Sequence, residues 1–189
     1  MILRKIMLSI LMFTFVSGSA LAADADKAKK QAETKKAAQT ALERFYKAKP
    51  ELKGQVAKAP GYAVFTTFGI SFVIGGAGGS GIAHDNASKK VTYMSMAQAS
   101  AGAQIGAAQT ETLIIFKSGK ALAQFVDKGW EFGGGGAVEA GAGGKTAGLA
   151  DAGGENVIAD SVYYTLTKNG VQIGGAVAGT KFWKNSDLN

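Results

Sequence analysis

The sequence predicts an α+β fold: a curved, glycine-rich antiparallel β-sheet of sandwich- or barrel-like form, with an N-terminal helical arm and one internal helix. Of the 27 glycines, 25 lie from Gly61 onward, where short β-like runs alternate with glycine clusters. Residues 24–48 are rich in alanine, lysine, glutamate and glutamine and contain no glycine or proline. Helix, strands, helix and strands follow one another without regular β–α–β alternation, which favours an antiparallel sheet.

Glycine inside a strand costs backbone entropy and offers no side chain for packing. Many glycines within β-like runs are typical of a sheet that needs close backbone approach, sharp bends or bulges. We therefore expect the sheet to be tightly curved.

The first 22 residues have the pattern of a secretory signal peptide. Arg4 and Lys5 precede an apolar run of eleven residues, Ile6 to Val16, and Ala20-Leu21-Ala22 supplies small residues for cleavage between Ala22 and Ala23. Eleven residues are too few to span a bilayer, which takes about 20. The chain is therefore expected to be periplasmic or secreted, or peripheral to a membrane; an uncleaved anchor is the alternative.

The next segment, Asp24 to Ala48, predicts a helix from its composition. Its apolar positions recur at helical spacing, and they are Ala38, Ala41, Leu42, Phe45, Tyr46 and Ala48. This face either packs on the glycine-rich domain or also contacts a membrane. Pro50 opens a second helix, Glu51 to Lys58, and Pro60-Gly61 ends it before a first strand at Tyr62. The predicted organisation is a signal peptide (1–22), a basic helical arm (23–49) and a glycine-rich domain (50–189).

The excess positive charge lies in the arm. Ala23 to Pro60 holds ten basic and five acidic residues, whereas Gly61 to Asn189 holds nine of each. A basic arm on a neutral body indicates an anionic partner, either nucleic acid or anionic lipid. Export argues against nucleic acid, so the prediction is an anionic phospholipid surface, contacted by Lys35, Lys36, Arg44, Lys47 and Lys49.

The composition also limits the kinds of catalytic and binding site that the chain can form. The chain has no cysteine and one histidine, His84, which excludes disulfides, thiol catalysis and sites that need two imidazoles. The formal G-x-G-x-x-G at residues 76–81 is followed by a turn and not by the helix that pyrophosphate binding requires. Gly144-Lys145-Thr146 lacks the first glycine of a P-loop, because Glu139 stands there. We predict no catalytic residues, no metal site, no cofactor and no enzymatic activity.

Shorter patterns predict local structure. Ser118 has the position of an N-cap for a helix in which Leu122, Phe125 and Val126 share one face. Asn169-Gly170, between two β-like runs, predicts a hairpin. His84 and Asp85 are expected in a solvated hairpin turn. Trp183 is expected either to pack on the sheet or to lie, with Lys181 and Lys184, at a lipid interface.

Five segments together resemble the SYLF domain, a lipid-binding family that also includes yeast actin-patch proteins. The similarity runs in consistent order from Glu51 to Lys181, through residues 59–65, 75–81, 100–107, 141–145 and 162–179. The chain departs from the family pattern at Ala142 and Lys145, where proline and arginine are usual, and it has no tryptophan soon after the first glycine cluster. The resemblance adds Lys145 to the expected lipid contacts.

The resemblance implies a non-enzymatic domain that binds phospholipid head groups. Actin binding, found in some fungal members, does not suit an exported protein. Two other function classes remain open: a periplasmic protein-interaction or structural envelope module with an envelope protein as partner, and an outer-membrane β-barrel. The chain's ending, Ser-Asp-Leu-Asn, lacks the aromatic residue expected of a barrel.

Overall fold

The fold is α+β, as predicted, with a curled antiparallel sheet and an N-terminal helix. The computed structural model describes residues 17–71, 74–101, 106–132, 137–139, 147–148, 160–167, 170–173 and 180–189. Within these ranges three helices are found: α1 (Ser17–Ala48), α2 (Glu51–Lys58) and α3 (Gly119–Lys128). The strands are β1 (Gly61–Ser71), β2 (Ile74–Asp85), β3 (Val91–Ala101), β4 (Gly106–Phe116), β5 (Trp130–Phe132), β6 (Ala137–Glu139), β7 (Ala147–Gly148), β8 (Ser161–Thr167), β9 (Gly170–Ile173) and β10 (Thr180–Lys184).

All described strands join one sheet in the order β7-β6-β5-β10-β3-β2-β1-β4-β8-β9. Every pairing between neighbours is antiparallel. The long strands β1 to β4 form its centre, and β10 inserts the C-terminal segment between β3 and β5. The β8–β9 hairpin is present, with Thr167 paired to Gly170, and its connecting residues 168–169 lie outside the described ranges.

The sheet buries an apolar core on each face. On one face α3 covers large side chains of the sheet, among them Phe65, Phe116 and Phe182, and Phe125 of α3 contacts all three rings. On the other face α1 and α2 cover the alternate residues, such as Val64 and Leu113. Side chains of a strand alternate between faces, so one apolar run supplies both cores.

The helical arm is docked on the domain. Thr34, Ala38, Ala41 and Phe45 recur at helical spacing and are buried against the sheet, and Leu42 and Tyr46 flank them half-buried. The alanines let the helix backbone approach the strands, and Phe45 fills the space near the helix end. Packing of Phe45, Leu42 and Tyr46 on the domain is therefore confirmed. Ala48, expected on this face, is exposed because the helix ends there.

Helix α1 begins at Ser17, seven residues before the predicted start, and runs through the predicted cleavage point between Ala22 and Ala23. The apolar run Ile6 to Val16 lies outside the described residues, so cleavage stays a prediction. No helix within the described ranges has a stretch long and apolar enough to cross a membrane. The second helix has the predicted bounds, and Ser118 caps α3 by accepting a hydrogen bond from Ala121 N at 3.2 Å.

Two glycines of β2 show why the sheet needs glycine. A Cβ at Gly79 would lie 2.7 Å from the Thr66 carbonyl oxygen, and one at Gly81 would collide with the Val64 carbonyl oxygen and the Phe65 ring. All three neighbouring residues belong to β1, which pairs with β2 along nearly its whole length. The expected close backbone approach is thus confirmed at this strand pair. The G-x-G-x-x-G segment is part of a strand and does not begin a helix.

We predict that Gly81→Ala lowers the free energy of unfolding by about 3 kcal/mol, because a backbone oxygen cannot move aside for the new methyl group. Gly78→Ala is the matched control in the same strand, since a Cβ there meets nothing within 4 Å. Its stability should be unchanged or raised by less than about 1 kcal/mol. Urea unfolding of the two variants measures the difference; equal costs at both positions would contradict the close approach.

Candidate functional site

The exposed side of α1 presents a row of lysines. Because Thr34, Ala38, Ala41 and Phe45 face the sheet, residues about half a turn away point to solvent, and these include Lys29, Lys36 and Lys47. Lys35 is exposed on the flank of the same helix. Of the predicted lipid contacts, Lys35, Lys36 and Lys47 are therefore open to solvent. Sequence analysis missed Lys29, which the helical period from Lys36 would have found. Glu33 and Glu43 are also exposed on this helix and lower its net charge.

The other two arm residues predicted to contact lipid are engaged within the protein. Arg44 forms an ion pair with Glu111 of β4. Lys49 is half-buried, lies 3.7 Å from the Glu51 carboxylate, and sits over the Tyr164 ring with its Nζ 5.5 Å from the centroid. Both side chains thus help to attach the end of α1 to the sheet. Lys145, the sixth predicted contact, lies outside the described residues.

Glu111 is the carboxylate at the interface between α1 and the sheet. Its side chain is 6% exposed, whereas the Arg44 side chain is 48% exposed. The Oε2 atom has no hydrogen-bond partner within the described part of the chain. Burial raises the pKa of Glu111 above its ordinary value, and Arg44 opposes this shift without cancelling it. Burial of the carboxylate outweighs Arg44 because nearly half of the Arg44 side chain is exposed, so solvent weakens its field.

A tryptophan lies on the same side of the sheet as α1. Trp183 is 38% exposed, and its neighbour Phe182 is buried in the core under α3. Alternation along β10 therefore puts Trp183 on the opposite face, where α1 packs. Lys181, next to it, pairs with Glu131 at 3.0 Å, and Lys184 is exposed. The Trp183 side chain is partly exposed on this face, and its expected position at a lipid interface stays a prediction.

His84 and Asp85 end β2, and the turn follows them. The His84 ring stacks on Tyr62 with centroids 5.1 Å apart, and its Nδ1 lies 3.1 Å from Asn86 Oδ1. Asp85 accepts hydrogen bonds from the backbone N–H groups of Ala87 and Ser88 at 2.8 and 3.0 Å. These bonds lower the pKa of Asp85, the Ser88 N–H having the largest effect. The contacts of both residues build the turn, and the described residues contain no cluster of three metal-ligating side chains.

We predict that Arg44→Met lowers the free energy of unfolding at neutral pH by about 2 kcal/mol, because it leaves the Glu111 carboxylate buried without a cation. The figure is below that of a fully buried pair because half of Arg44 is in solvent. Glu111→Met in the Arg44→Met background should recover most of the loss. Thermal or urea unfolding measures this cycle, and single costs that simply add in the double variant would contradict coupling.

The raised pKa of Glu111 predicts the direction in which the stability of the fold changes with pH. The folded chain binds this proton more tightly than the unfolded chain, so the contribution of Glu111 to stability falls as pH rises from the ordinary carboxyl pKa through the raised one. Glu111→Gln removes this titration. The stability of the wild type relative to Glu111→Gln should therefore decrease across that pH range, as measured by urea unfolding. A relative stability that increases with pH would show that Arg44 dominates the site.

Comparison with known proteins agrees with the resemblance seen in the motifs. The family model described as "Ysc84: Las17-binding protein actin regulator" matches residues 97–189, which include the last three of the five resembling segments. The chain is also similar to "Beta cell expansion factor A" of Aeromonas veronii, with 31% identity over 153 residues. That alignment covers 80% of the chain and 56% of the relative, so the chain spans little more than half the relative's length. From the motifs, the family match and this relative together, the chain belongs to the SYLF family.

Proposed function

We propose that this chain is a non-enzymatic, exported domain that binds the surface of anionic phospholipid membranes. Membership of the SYLF family fits a module that binds lipid or protein. The observation that favours lipid is that the exposed lysines of α1 and the exposed Trp183 share one face of the sheet.

The lysines supply the attraction. Each basic residue near an anionic bilayer contributes about 1 kcal/mol before screening, and the attraction decays within a Debye length. Lys29, Lys36 and Lys47 lie on one side of a helix whose opposite side is fixed to the domain, so they can approach a flat surface together. Docking of α1 also means that binding requires no helix to fold or detach. The proposed contact is electrostatic adsorption, with Lys35 at its flank.

Trp183 adds a contact typical of the membrane interface. Tryptophan is enriched at head-group level because its ring is apolar and its N–H is polar. The second tryptophan, Trp130, is 2% exposed and packs against Phe116 and Phe125 under the other face of the sheet. The two therefore report separately on the proposed contact face and on the core.

We predict that Lys29→Gln, Lys36→Gln and Lys47→Gln, combined in one variant, weaken binding to vesicles of phosphatidylcholine and phosphatidylglycerol at least about tenfold at low salt. Co-sedimentation of the purified protein measures this, with pure phosphatidylcholine vesicles and high salt as comparisons. The same three positions changed to arginine keep the charge and should bind like the wild type. Salt-insensitive binding, or full binding by the glutamine variant, would contradict adsorption through α1.

The tryptophan emission spectrum tests whether the face that carries Trp183 contacts the membrane. Binding to anionic vesicles should shift the emission to shorter wavelength because Trp183 leaves water, and Trp183→Phe should abolish the shift while Trp130 remains. A shift that persists in Trp183→Phe would place the contact elsewhere. No binding of the wild type to any vesicle would favour the protein-interaction function.

Mass spectrometry of the purified protein tests the proposed export, since cleavage leaves Ala23 as the first residue.

A further inference from the structure

Four exposed lysines lie in three segments of the chain that come to one end of the sheet. They are Lys58 at the end of α2, Lys89 and Lys90 in the connection between β2 and β3, and Lys120 at the start of α3. We call them the strand-end lysines. None belongs to the row of lysines on α1. Three of the four lie between Gly61 and Asn189, where basic and acidic residues are equal in number.

The strand register brings these segments together. Gly61, the first residue of β1, pairs with both Asp85 and Phe116, so the β2–β3 connection and the start of α3 flank the beginning of β1. Asn86 N–H donates to the Pro60 carbonyl at 2.9 Å, and the Asn86 amide donates to the carbonyls of Val56 and Ala59. The segments that flank the beginning of β1 therefore carry all four lysines: the end of α2 carries Lys58, the β2–β3 connection carries Lys89 and Lys90, and the first turn of α3 carries Lys120.

The ammonium groups of this end are available to a partner. Within the described residues, no acidic side chain forms an ion pair with any of the four. The nearby acids are used locally: Asp85 accepts from the turn backbone, and Asp160 accepts from the Ser118 hydroxyl at 3.3 Å. The carboxylates thus shape the turns, while the lysines are exposed.

Lys89 occupies an unfavourable backbone conformation. Its φ is 59°, in the left-handed region where asparagine or glycine is less strained. Strain of this kind persists where the surrounding structure enforces it and is concentrated at functional sites. A lysine at this position therefore carries a conformational cost that asparagine would reduce.

Helix α2 connects this end of the sheet with the face that α1 covers. The middle of this helix lies beside Tyr164, whose hydroxyl donates to Gln55 at 3.0 Å, and the helix ends at the bonds to Asn86. Leu52 and Val56 bury its inner side in the core beneath α1, and Lys53 and Lys58 are exposed. Exposed lysines therefore occur on α1, on α2 and at the strand end, together with the exposed carboxylates of Glu43 and Glu51.

We infer that the strand-end lysines form a second contact with the same anionic bilayer, so that the domain rests on the membrane along α2, with this end of the sheet against the head groups. The inference rests on the proposed function and assigns the orientation of the bound domain. Charge complementarity identifies the partner, because lysines spread over three separate segments suit a broad anionic surface better than a single small anion.

Vesicle binding of a combined Lys58→Gln, Lys89→Gln, Lys90→Gln and Lys120→Gln variant tests the inference. Affinity for vesicles of phosphatidylcholine and phosphatidylglycerol should fall at least about tenfold at low salt, and the corresponding arginine variant should keep it. Circular dichroism and Tm establish that the variants are folded. Lys89→Asn alone should raise or preserve Tm while weakening binding, which separates a contact role from a structural one.

Site-specific labels give an independent readout, because the chain has no cysteine of its own. Ala87→Cys carries an environment-sensitive NBD fluorophore at the strand end, and Gly78→Cys is the control, farther along β2 where a Cβ meets nothing. Emission should rise more on vesicle binding for position 87 than for position 78, because position 78 lies farther from the strand end. Wild-type binding with an unaffected glutamine variant, or with equal responses from both labels, would overturn this inference while leaving the proposed function intact. Absence of wild-type binding would overturn both.

Discussion

The attachment of α1 to the sheet is the interaction on which the arrangement of this domain depends. Ala38, Ala41 and Phe45 bury one side of the helix, and the Arg44–Glu111 pair and the Lys49–Tyr164 contact hold its end. Burial of the phenylalanine side chain alone is worth about 2 kcal/mol or more. Because that side of α1 is packed on the sheet, the lysines on the other side have defined positions. The sequence alone suggests a separate basic arm, but in the structure these charges form part of the domain surface.

Periodicity and composition were sufficient to predict the elements but not their relative placement. The α+β class, the bounds of α2, the Ser118 cap and the inward face of α1 all follow from local chemistry. The roles of Arg44 and Lys49 could not be predicted, because a surface cation and a partner of a distant carboxylate look alike in sequence. Glu111 lies 67 positions from Arg44, and only the pairing of β4 with β1 brings it beneath the helix. The strand-end lysines were missed for the same reason, since the neutral total of the glycine-rich half concealed their clustering.

Glycine has different roles at different positions of one strand. At Gly79 and Gly81 the neighbouring strand leaves no room for a side chain, whereas at Gly78 the space is open. The first kind permits the close approach of β1 and β2. The sheet that they help to form carries a helical layer on each face and separates the core that contains Trp130 from the face that carries Trp183.

Contacts between the two ends of the chain have a consequence for the timing of folding. Lys27 Nζ donates to the Asn189 carbonyl at 3.0 Å, and Gln31 donates to the Leu188 carbonyl at 2.7 Å, across 162 and 157 positions. Helix α1 is among the first described segments to be synthesised, yet these partners are the last. Contacts so distant in sequence close late and slow folding. The helix therefore obtains these neighbours only after residues 188 and 189 have been synthesised, and until then its apolar side has to be kept from aggregating.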